Sequence, residues 1–216
     1  MELAIDQLIK SIAQVRQCSR LTIDLDETGP PEQWADHASL SESEFMEFTG
    51  YGCDAAQSEL LALPDRVRIS WQGHSHIAGG ISLSNPISTL DRKLDPAFLL
   101  PGFTQFQLID YRIVDAYFSP GGAYHVLAKL TPTALDGKLY LLDSDVIEPL
   151  RLSANEYLRR TAVTKGIANW PYLYLKQPRL SGFGKSVLKK GIDFLQREFS
   201  DWDYTELLQL WDRSTR

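Results

Sequence analysis

The chain has 216 residues, 44% of them hydrophobic, and carries a net charge of −6 with an isoelectric point near 5.2. That balance disfavours a nucleic-acid backbone or an anionic membrane surface as partner, and favours a basic protein. No apolar run approaches the roughly 20 residues that span a bilayer. The opening Met1-Glu2-Leu3-Ala4-Ile5-Asp6 lacks the basic stretch of a secretory signal. The expectation is one domain over residues 1–216 in the cytoplasm, with Cys18 and Cys53 as reduced thiols, their pairing left open.

In chain order, Ile5, Leu8, Ile9, Ile12 and Val15 repeat at helical spacing and predict an amphipathic helix from about Glu2 to Gln17. Leu21–Asp26 alternates, with Ile23 and Leu25 on one face and Thr22, Asp24 and Asp26 on the other. That predicts a short half-exposed strand, closed by Gly29-Pro30-Pro31. Pro31–Leu63 is helical in composition. Ser41-Glu42-Ser43-Glu44 has capping-box spacing ahead of Phe45, Met46 and Phe48; Gly50 and Gly52 interrupt, and Ala55–Ala62 forms a further helix stopped by Pro64.

From Val67 the pattern changes to strands: Val67–Gln72, Ile77–Leu83 and Gln105–Ile109, with Asn85–Phe103 a proline-rich loop holding a short helix. Tyr111–Phe118 and Ala123–Leu130 flank Ser119-Pro120-Gly121-Gly122, where Pro then Gly suits a type II turn. Asp136-Gly137 opens the strand Lys138–Asp143, and Ile147–Leu152 follows. Ser153-Ala154-Asn155-Glu156 has the spacing of a capping box and starts a helix through Val163. An aromatic link, Trp170-Pro171-Tyr172-Leu173-Tyr174, leads to a joint at Lys176–Gly184 and two C-terminal helices. Val187, Leu188, Ile192, Leu195 and Phe199 are the apolar face of the first, and Tyr204, Leu207, Leu208 and Trp211 that of the second. Strands followed by helices predict an α+β fold: a central antiparallel sheet with helices at the N- and C-terminal ends. Residues 1–40 supply an N-terminal helix and strand, and 177–216 a C-terminal helical extension.

Three short motifs carry possible chemistry. Asp24-Leu25-Asp26-Glu27-Thr28 matches Asp-x-Asp-x-Thr, the nucleophile motif of haloacid-dehalogenase-type phosphohydrolases. There the first Asp attacks phosphorus and the second serves as acid and base beside Mg²⁺. That family needs a doubly wound parallel sheet, which the uninterrupted strand run does not supply, so a polar strand face and turn accounts better for the motif. Leu180-Ser181-Gly182-Phe183-Gly184-Lys185-Ser186 ends like a phosphate-binding loop, but Arg179 stands where its first glycine belongs; a helix start capped by Ser181 accounts for it. His74-Ser75-His76 spaces two imidazoles as for a metal, and reads more simply as an exposed turn beside Gly73. Trp170 and Tyr172 are core or, as the alternative, part of an exposed binding surface.

Glu59-Leu60-Leu61-Ala62-Leu63-Pro64, Trp71-Gln72-Gly73, Asp136-Gly137-Lys138-Leu139-Tyr140 and Leu152-Ser153-Ala154-Asn155-Glu156-Tyr157-Leu158 together resemble the SUKH superfamily of toxin-immunity proteins and cell-wall regulators. The resemblance covers about residues 41–163. It implies a non-enzymatic α+β domain that binds a partner protein and brings no catalytic residues; no cofactor or metal is expected. The preferred function is therefore a protein-binding module, immunity-like, with Asp143, Asp145, Glu148, Trp170 and Tyr172 as candidate partner-binding residues. The alternative is a Mg²⁺-dependent phosphohydrolase centred on Asp24 and Asp26.

Overall fold

A computed structural model describes residues 3–29, 66–74, 77–84, 110–119, 122–131, 135–144 and 146–215, with a few single positions between. The helices expected between Pro31 and Leu63, the loop Asn85–Phe103 and the strand Gln105–Ile109 lie outside the described residues, single positions aside. So do Cys53, His76 and Asp145.

Seven strands form one sheet: β1 (Leu21–Glu27), β2 (Arg66–Gly73), β3 (Ile77–Ser84), β4 (Tyr111–Ser119), β5 (Gly122–Leu130), β6 (Leu135–Asp143) and β7 (Val146–Ser153). They lie in chain order, each antiparallel to the next. The pairing Ser119↔Gly122 places the β4–β5 connection at the Pro-Gly step, and Asp143↔Val146 closes the next hairpin. The helices are α1 (Ala4–Gln17), α2 (Ala154–Thr164), α3 (Gly182–Glu198) and α4 (Thr205–Thr215), with a 3-10 turn at Trp170–Tyr174. None of the described helices is long and apolar enough to cross a membrane.

One face of the sheet carries the main core. Val67, Ile69 and Trp71 of β2, Ile81 and Leu83 of β3, Tyr124 and Val126 of β5 and Leu139 and Leu141 of β6 point to it. They meet Leu8, Ile12 and Val15 of α1, Tyr157 and Leu158 of α2, and Leu188, Ile192 and Leu195 of α3. The opposite face has a smaller apolar cluster, Leu127 and Leu142, flanked by Tyr111, Ile113, Tyr140 and Ile147. Helix α1 is fastened to α2 by Ser11, whose hydroxyl donates to the Ala162 carbonyl at 2.8 Å. The expected capping box is present at α2: Ser153 Oγ accepts from Glu156 N at 3.3 Å, and the Glu156 carboxylate accepts from Ser153 N at 2.8 Å.

Two bulges redirect side chains. In β1 the register shifts between Ile23 and Leu25. Ile23 therefore packs on the main core while Leu25 lines a groove on the opposite face, which corrects the simple alternation expected from sequence. In β4 the shift between Ile113 and Asp115 pairs Asp115 with Val126 and sends its carboxylate into the helix-side core.

The sheet is discontinuous between β3 and β4, which pair at Leu83↔Asp115. Beyond that point a different segment takes the edge of β3. Gly79 bridges to Ile167, Gly80 N donates to the Gly166 carbonyl at 2.8 Å, and Ala168 N donates to the Ala78 carbonyl at 3.2 Å. Two glycines make this possible. A Cβ at Gly79 would lie 2.2 Å from the Trp71 ring, and Gly166 has φ 67° with its β position 2.1 Å from the Gly80 carbonyl oxygen. The Trp71 indole N–H completes the joint by donating to the Lys165 carbonyl at 3.0 Å.

Candidate functional site

The tight β6–β7 turn, with Ser144 in the left-handed region at φ 57°, carries Asp143 and Glu148 on neighbouring strands. The 3-10 turn after α2 brings Tyr172 against them, although it lies more than 20 residues further along the chain. Together with Ser144, Arg179 and the apolar walls Leu141, Val146 and Leu175, they line a groove of about 140 Å³.

Tyr172 is 6% exposed, and its hydroxyl lies beside the Asp143 carboxylate on the groove wall. Burial and that carboxylate both push the phenol upward, so it stays a donor at any physiological pH. Arg179 forms an ion pair with Glu148 across the rim, with more than half of its side chain exposed. The groove thus offers two carboxylates, a fixed phenol and an apolar floor. Such a set holds a guanidinium or ammonium by charge while its alkyl stem packs on the walls.

Asp143, Glu148 and Tyr172 are thus brought together, and Asp145 lies outside the described residues. Trp170 does not join them. It is completely buried, with ring centroids 5.0 Å from Tyr157 and 5.8 Å from Tyr174. Its place is the core, which corrects its inclusion in a binding surface. An indole in a 3-10 turn wedged between α2 and α4 has no outward side.

The other motifs resolve locally. Asp26 lies on the α1 side of the sheet, held by Arg16 at 2.6 and 2.9 Å and by the Thr28 hydroxyl at 2.7 Å. The Arg16 hydrogen bond is the main cause that holds its carboxyl below the ordinary carboxylate range. Asp24, the bulged residue, lines the groove on the other face with Leu25 and Arg68. The bulge therefore parts the two carboxylates that a phosphohydrolase would need around one metal, in a sheet that is antiparallel throughout. Ser181 caps α3, its hydroxyl accepting from Gly184 N at 3.0 Å, as a helix start requires. His74 is exposed at the β2–β3 turn, and Cys18 is a free thiol. Among the described residues no group of His, Cys, Asp or Glu is arranged to hold a metal.

Two features were not foreseen. Asp115, 2% exposed, accepts from the Tyr157 hydroxyl at 2.5 Å and from Ser82 N at 3.2 Å; burial is the main force that raises its carboxyl. The signal was a lone acid inside the aromatic run Tyr111–Phe118. Lys165 is fully buried, and nothing in its Lys-Gly helix ending distinguishes it from a solvated C-terminal lysine.

Comparison with family models, curated proteins and solved structures finds no match for this chain.

Proposed function

We propose that the chain is a non-enzymatic protein-binding module whose partner is basic and docks on the β6–β7 groove. The observation that supports this is the convergence of Asp143, Glu148 and Tyr172 on one groove, on a chain of net charge −6. A cationic side chain of the partner would exchange with Arg179 for Glu148 and share Asp143 with Tyr172. The long-range field would speed encounter, and the groove would set residence time. The immunity-like form of this function, a cytoplasmic protein that neutralises a toxin domain by surface complementarity, is supported by the resemblance to the SUKH superfamily.

The test is affinity capture of the partner followed by association kinetics at two salt concentrations. Raising the salt should slow association, because exposed charges are screened over roughly 8 Å at physiological ionic strength. Asp143→Asn with Glu148→Gln should raise the dissociation rate and flatten the salt dependence. A rate indifferent to salt, or a captured small molecule in place of a protein, would overturn the proposal.

A further inference from the structure

We propose that Lys165 is a pH-operated latch that ties helix α4 to the body of the protein and is released when its buried amine takes a proton. Lys165 ends α2 in the left-handed region, φ 53°, followed by Gly166 at 67°. This reversal turns the side chain back under the helix end, where the residue is 0% exposed. Its Nζ donates to the Ala162 carbonyl at 3.3 Å and lies 3.6 Å from the Trp202 ring centroid and 5.0 Å from that of Phe199. Both rings belong to the segment joining α3 to α4. Trp202 is held in turn from α1, its indole N–H donating to Gln14 Oε1 at 2.6 Å, while Gln14 Nε2 donates to Asp201 at 2.8 Å. One amine therefore sits where α1, α2 and the α3–α4 linker meet.

An ammonium presents three N–H donors. Among the described residues it finds one carbonyl and two ring faces. The rings and the C-terminus of α2 favour the cation, while complete burial opposes it. Burial prevails and lowers the amine to about 7. The charged groups acting on it are Asp201 of the linker, which raises it, and Lys10 of α1, which lowers it from above the same Trp202 ring. Glu198, at the end of α3, is taken by Arg20 and Arg197, and β2 contributes the neutral indole of Trp71. A proton acquired near neutrality is thus a buried charge short of acceptors. Lifting the linker gives it water, and α4 moves with the linker.

The test is hydrogen exchange of residues 199–215 at pH 6 and pH 8, corrected for the intrinsic pH dependence of amide exchange. Protection in the wild type should be about tenfold lower at pH 6, the factor that follows from an amine titrating near 7 when closed and near 10.5 when open. Lys165→Met should show no such difference. Equal protection of the wild type at both pH values, or the same loss in Lys165→Met, overturns the latch. Should Lys165→Met fail to fold, titration of the wild-type Lys165 Cε resonance decides together with the wild-type exchange. A midpoint at the ordinary lysine value, or a neutral midpoint with pH-independent exchange, overturns it.

Discussion

Asp115 shows how one residue couples three elements. Its carboxylate accepts from Ser82 N of β3, sits on the bulge of β4 and receives the Tyr157 hydroxyl of α2. Asp115→Ala leaves a buried N–H and a buried hydroxyl without an acceptor, and should cost roughly 1–3 kcal/mol in denaturant unfolding. Asp115→Asn can keep both contacts, accepting from Ser82 N and donating to the Tyr157 oxygen, and should lose much less. The pH dependence has a definite sign. Burial raises this carboxyl above its ordinary 3.8, so the folded state holds the proton more tightly than the unfolded chain does. Its favourable contribution is complete below about 3.8 and is lost as pH climbs through the raised value. Unfolding midpoints measured from pH 3 upward should show that loss in the wild type and lack it in Asp115→Asn. A lone acid in an aromatic strand was visible in the sequence. Its inward direction was not, because it depends on a one-residue slip in pairing.

At the scale of elements, the capping box of α2 gives the cleanest expectation. Ser153 and Glu156 exchange both backbone hydrogen bonds. Ser153→Ala should lower stability by about 1 kcal/mol, seen as a shifted denaturant midpoint. The described strands from β2 onward and the four described helices were legible because their signals are local: period, turn residues and caps. Trp170 was left between core and surface, and the facing of Asp24 was misjudged, for a common reason. The outlook of a short 3-10 turn, and the facing of a bulged residue, are set by what packs across from them. The groove is a mixed case. Asp143 and Glu148 were visible as a hairpin pair, but Tyr172 reaches them only through the fold.

For the whole molecule, the N- and C-terminal segments share one core, since Leu8 of α1 and Leu195 of α3 belong to the same buried cluster. Leu8→Ala should therefore act globally, costing about 2–5 kcal/mol. Tryptophan fluorescence and far-UV dichroism should still trace one coincident transition, as for a single cooperative unit. Transitions that separate would identify the C-terminal helices as an independent extension. The net charge of −6 acts at this scale too, in the salt-dependent association expected of the groove.

The seam between β3 and β4 divides the ladder of the seven strands into two plates, β1–β3 and β4–β7, that pair at Leu83↔Asp115. Gly166–Ala168 works as a dowel beside that joint, bonded to the edge of the first plate. Lengthening or shortening this turn would change the angle between the plates while each kept its own ladder. The same turn begins at Lys165, so what loosens the linker at one end of it also bears on the continuity of the sheet at the other.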